Sequence, residues 1–285
     1  MTKDLWIGVV ILLVIISITL FGGAKKAKNS VAGNTTSTNA VATTQQDPAE
    51  VEKQAKAEAE KKLYSQYKGV INLYNINKSS DPTREYLTIK TTGDLKTPVS
   101  ITGWTIKSTS SGTSVTIPKG TYLFFAGTQN VEGDISLDSK DTLYLITGIS
   151  PNGASFKLNK CSGYTEQFQT FVPSLGSDCP LPKNEDLSSI PNLVVNDACF
   201  DYIDSLSRCR IQTESLPITW SYECTNFIAT KINYPTCVNT HKNDADFYEH
   251  EWRVYLKRSD HIWKDNRENI VLYDNLGKVV DTLSY

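Results

Sequence analysis

The chain has 285 residues, 39% of them hydrophobic, enough to bury at least one sizeable core. Its 29 basic and 31 acidic residues nearly cancel, so no global positive field favours a phosphate backbone and nucleic acid is not expected as a partner.

In chain order, residues 5–24 come first, an uncharged and mostly apolar run whose helix would cross roughly 30 Å of hydrocarbon. The run predicts a transmembrane helix acting as a signal anchor, or a signal peptide if it is cleaved after the small residues Gly22 or Ala24. Lys25, Lys26 and Lys28 follow the run and only Lys3 precedes it, which by positive-inside counting would orient it the other way. The cysteines decide for export. Cys161, Cys179, Cys199, Cys209, Cys224 and Cys237 are an even number confined to one segment, and no two lie closer than ten positions, a spacing that suits disulfides in an oxidising compartment better than zinc. The expected location is the cell membrane, single-pass, with the C-terminal domain extracytoplasmic, or secreted if the leader is cleaved.

Residues 25–47 read as a flexible linker, because 29–46 contain neither charge nor aromatic ring. Residues 48–68 read as a stalk helix: Asp47 can cap it, Pro48 suits a first turn, and Ala, Glu, Lys and Gln fill its interior. From Gly69 the apolar period becomes two, predicting strands at 70–74, 85–90, 99–107, 114–117, 121–125 and 142–146, with a final hairpin of 269–274 and 279–285. In 99–107 the apolar phase slips at Gly103, which predicts a bulge there. Short strands without interleaved helices indicate an all-β sandwich or barrel.

Three stretches of this region, Glu85-Tyr86-Leu87-Thr88-Ile89, Val99-Ser100-Ile101-Thr102-Gly103-Trp104-Thr105-Ile106 and Ile117-Pro118-Lys119-Gly120, together with the ending Asn269-Ile270-Val271-Leu272-Tyr273-Asp274 and Gly277-Lys278-Val279-Val280-Asp281, resemble the lamin tail domain. The resemblance implies an Ig-like β-sandwich, split into a first part at 69–156 and C-terminal strands at 249–285, with Trp104 in its core. It also implies export, and no catalytic residue. Residues 157–248, which hold every cysteine, depart from that pattern and read as a cysteine-rich insertion.

Within the insertion, 197–209 and 223–233 carry helical spacing. Cys199 and Cys209 at opposite ends of one helix would be about 15 Å apart, too far to pair. An antiparallel helical hairpin then predicts Cys199–Cys237 and Cys209–Cys224, leaving Cys161–Cys179, with simple sequential pairing as the next of the possible connectivities. Tyr164, Phe168, Phe171, Trp220, Tyr222, Tyr234, Phe247 and Tyr248 supply aromatic surface; those left exposed together would form a binding face for a protein or glycan.

Three histidines, no Gly-x-Ser-x-Gly elbow and no phosphate-cradling loop leave catalysis without a motif, and no catalytic, cofactor-binding or metal-ligating residue is assigned. Residues His241, Asp244, Asp246 and His250 are the alternative: imidazoles and carboxylates close enough in sequence for an extracellular metal-dependent hydrolase. The bland reading of the same residues is a polar loop before a strand at 251–256. Basic residues Arg253, Lys257, Arg258, Lys264 and Arg267 are diluted by Asp260, Asp265 and Glu268. The function expected is thus a membrane-anchored, non-catalytic binding or structural module that displays a lamin-tail domain toward an extracellular protein or glycan.

Overall fold

The computed structural model describes residues 47–125 and 129–285. The apolar run at 5–24 and all of the linker except Asp47 lie outside the described residues. Among the described residues no helix is long and apolar enough to cross a membrane.

Helix α1 (Pro48–Leu63) buries no residue. Its support is local: good helix formers, an i,i+4 pair of Glu52 and Lys56 at 2.8 Å, and Lys61 and Lys62 in the last turn, where cations complement the helix dipole. At its end Lys278 Nζ donates to the Lys61 carbonyl, Ser65 N–H bonds the Val279 carbonyl, and Tyr67 packs 5.5 Å from Trp104.

Two sheets follow. Strands β1 (Ile71–Asn77), β2 (Tyr86–Thr91), β7 (Thr142–Ile146), β9 (Tyr248–Tyr255) and β8 (Phe156–Asn159) form the larger sheet in that order. Strands β11 (Val279–Ser284), β10 (Asn269–Tyr273), β4 (Thr105–Ser108) and β5 (Ser114–Thr116) form the second. A short pair, β3 (Val99–Ser100) with β6 (Ser136–Leu137), completes the described ladders. Leu87, Ile89, Leu143, Leu145, Trp252 and Val254 from the large sheet share one buried cluster with Ile106, Val115, Ile270, Leu272 and Val280 from the small one. Mostly sheet, with two sheets on a common core, the architecture is consistent with a β-sandwich.

The alternate residues of the large sheet's strands are buried or half-buried on the other face. Tyr86, Tyr144, Ile146, Phe156 and Tyr255 join a second cluster containing all six cysteines. Residues 160–247 therefore form a lobe on the outer face of the large sheet, and that sheet has an apolar layer on both sides. Strand β9 brings the chain back from the lobe and inserts parallel to β7 and antiparallel to β8. Strand β8 spans residues on both sides of the 156/157 boundary expected for the insertion.

The structure differs from the expected strands in three places. The 99–107 segment is two strands in separate sheets, not one bulged strand; Gly103, at φ +84°, turns the corner between them. Trp104 follows that corner and is 2% exposed, a core residue. Residues 121–125 form no strand and make only an isolated bridge, Thr121 with Phe156. The strand expected at 251–256 starts earlier, at Tyr248.

The disulfide pairing is also corrected. The pairs are Cys161–Cys237, Cys179–Cys209 and Cys199–Cys224, with Cα–Cα distances of 5.9, 5.2 and 6.4 Å. The expected helical hairpin does not exist. Helix α2 (Asp197–Ser205) stops where Leu206 turns extended, which puts Cys209 beyond it at φ +57°. Helix α3 (Tyr222–Lys231) is followed by a separate helix α4 (Tyr234–His241), begun by the Asn233 side chain accepting from Thr236 N–H at 3.0 Å and by Pro235 in the first turn. Cys237 thus belongs to a helix of its own and meets Cys161 just after β8.

Candidate functional site

The lobe is held by its disulfides and by close packing around them. Gly163 lies against the Cys179–Cys209 pair; a Cβ there would sit 2.4 Å from Cys209 Sγ and 2.8 Å from the Gly176 carbonyl oxygen. Gly163→Ala is expected to cost about 1–3 kcal/mol by overpacking, read as a lower urea midpoint with the large sheet's fold intact.

The helical turn Ser162–Gln167, capped by Phe168, carries Tyr164 and Phe168 to one side of the lobe. Tyr234, at the start of α4, arrives from the other side and donates its hydroxyl hydrogen to the Phe124 carbonyl at 2.7 Å. Tyr164, Phe168, Tyr234, Phe124 and Ile211, with the Asn152, Thr165 and Gln169 side chains, line a mostly apolar cleft of about 430 Å³. Phe168 is 64% exposed, so its ring stands open at the cleft. Burial pushes both phenols, Tyr164 and Tyr234, up to about 12. Of the aromatics singled out in the sequence, Tyr164, Phe168 and Tyr234 come together here, but only Phe168 is exposed; Tyr164, Tyr234, Phe171 and Phe247 are core. Sequence reasoning missed Phe124 and Ile211, which no local pattern ties to the lobe.

A second, polar cleft lies where β9 leaves the lobe. Lys160 Nζ bonds Asp244 at 3.0 Å and Asp246 at 2.6 Å, and the His241 ring nitrogens lie 2.9 Å from Asp244 Oδ2 and 3.0 Å from Glu185 Oε1. Burial lowers the His241 pKa, but Glu185 and Asp244 outweigh it and the net direction is up. His250 is not part of this group: its Nδ1 sits 2.7 Å from Asp141 Oδ1. Of the four residues of the metal alternative, Asp244 and Asp246 share the Lys160 ammonium, His241 is held between Asp244 and Glu185, and His250 pairs elsewhere. Among the described residues no group of three or more His, Cys, Asp and Glu side chains is arranged to hold a metal ion.

No family model matches this chain, and no curated protein matches it.

Behind the polar cleft, the lobe-facing side of β9 presents Glu249, Glu251 and Arg253 at the period-two spacing of one strand face. Arg253, one of the basic residues of this part of the sequence, is 2% exposed. Its guanidinium stacks over Tyr144 at 4.4 Å, donates to the Ser174 carbonyl at 2.7 Å and meets the Glu251 carboxylate, clamping the lobe to the sheet. Glu249 is pushed up to about 7, first by burial and then by the charges of Glu251 and Asp178. Its carboxyl thus holds a proton more tightly folded than unfolded, where it titrates near 4.5. Stability should therefore decline as pH rises from about 4.5 to about 7, and Glu249→Gln should flatten that decline. Denaturant midpoints at pH 5 and pH 8 in both proteins measure it; identical slopes would contradict the assignment.

Proposed function

We propose that this chain is a membrane-anchored, extracytoplasmic and non-catalytic binding module. In this reading the apolar run at 5–24 anchors, the linker and α1 act as tether and stalk, an Ig-like sandwich of the lamin-tail type forms the platform, and the disulfide lobe meets a protein or glycan. The observation that carries it is the cleft at Phe168, a ring of the lobe that is 64% exposed beside a mostly apolar concavity backed by the buried Tyr164 and Tyr234. Three disulfides support an oxidising location. The ion-paired state of Lys160, Asp244, Asp246 and His241 gives the hydrolase alternative nothing to build on.

An epitope fused after Tyr285 tests the reading. It should be reachable by antibody on intact cells and should remain with membranes after a high-salt wash. An epitope protected until lysis would contradict export.

A further inference from the structure

The cleft around Phe168 restricts its own ligand by charge, size and surface. No lining side chain is charged, and the two phenols stay protonated at any physiological pH because burial disfavours the phenolate. An ionic ligand would therefore be desolvated without a counter-charge, at a cost of several kcal/mol. The volume of about 430 Å³ falls at the small-ligand end of ordinary binding sites, roughly 300–1,000 Å³. A stable protein partner needs about 800 Å² on each side, far more than this concavity offers. The lining offers one open ring and one free-standing amide: Phe168 gives an exposed apolar face and Gln169 an exposed amide, while Tyr164 and Tyr234 back the cleft with little exposed area and the Thr165 hydroxyl donates to the Ser162 carbonyl at 2.7 Å. Such a surface is complementary to a molecule with a flat C–H face and neutral hydroxyls on its edge.

We propose that this cleft binds a neutral saccharide, with one sugar ring seated against Phe168. The proposal rests on the reading of the chain as a surface binding module and narrows its ligand to an uncharged glycan. Phe168 provides the exposed stacking face and Gln169, exposed beside it, an amide to reach the sugar's hydroxyls.

The test uses the full-length chain in a detergent without a sugar headgroup, titrated calorimetrically and by saturation-transfer NMR. The probes are maltose, mannobiose, N,N′-diacetylchitobiose, sialyllactose as a charged control and a short proline-rich peptide. At least one neutral disaccharide should bind, with sialyllactose weaker. Phe168→Ala, an exposed position whose loss leaves the core intact, should weaken that binding about tenfold, and Gln169→Ala by a smaller factor. Absence of binding by every neutral sugar, equal binding of sialyllactose, or an unchanged affinity in Phe168→Ala would overturn the proposal. Peptide binding lost in Phe168→Ala, with no sugar bound, would overturn the saccharide and keep the binding module. An epitope found inside the cell would remove the module itself, whatever the titrations give.

Discussion

Replacing Cys161 and Cys237 together by alanine is expected to lower stability by about 4 kcal/mol, the largest effect of any of the three disulfides. The bridge spans 76 residues, against 30 and 25 for the others, and a cross-link restricts the unfolded chain more as the loop it closes lengthens. It is also the bridge nearest the large sheet: Cys161 lies two residues after β8, and Cys237 lies on α4 beside Tyr234 and Val238 in the lobe's core. Its loss should free the lobe more than the sandwich. Hydrogen exchange would show α4 and the Phe168 turn losing protection first, with β2 and β7 retaining theirs. Cys199→Ala with Cys224→Ala should cost less, since that bridge links two helices already inside the lobe. Equal destabilisation by both pairs would contradict the loop-length argument.

The second large effect is expected at Asp141. Its carboxylate is fully buried, accepts from Lys157 Nζ at 2.9 Å and lies 2.7 Å from His250 Nδ1; the Lys157 side chain is only 7% exposed, with its ammonium 5.7 Å from the Trp252 ring centre. These contacts join the start of β7 to both β8 and β9. Asp141→Ala leaves the Lys157 ammonium buried without a counter-charge, and breaking one side of such a pair costs about 3–5 kcal/mol. Adding Lys157→Met removes the stranded charge, so the double variant should be more stable than Asp141→Ala alone. Strictly additive losses in denaturant titrations would mean that the two groups do not act as a pair.

How much of this was legible in the sequence follows from what each pattern encodes. Strands β2, β7, β10 and β11 lay within one or two residues of their expected bounds, because Leu87 and Ile89, or Leu143 and Leu145, repeat at period two against a single core. Strand β8 was missed because Phe156, Lys157, Leu158 and Asn159 are all buried, the lysine by its ion pair, so neither alternation nor a hydrophobic run marks it. The corner at Gly103 was seen as a phase slip, yet a slip alone does not distinguish a bulge from a change of sheet. The disulfide pairing failed on a local signal: Asn233-Tyr234-Pro235 starts a helix of its own, and without that helix Cys237 is assigned to the end of the one before it. Part of the aromatic cleft was visible as clustered Tyr and Phe residues of the insertion. Phe124 was not, since only tertiary packing brings it to Tyr234.

Peptide mapping reads out whether the three disulfides staple the lobe in the native protein. Protein isolated from its native cells, alkylated at once and digested without reduction, should yield Cys161 linked to Cys237, Cys179 to Cys209 and Cys199 to Cys224, with no alkylated cysteine. Recovery of all six cysteines as alkylated thiols would contradict the account.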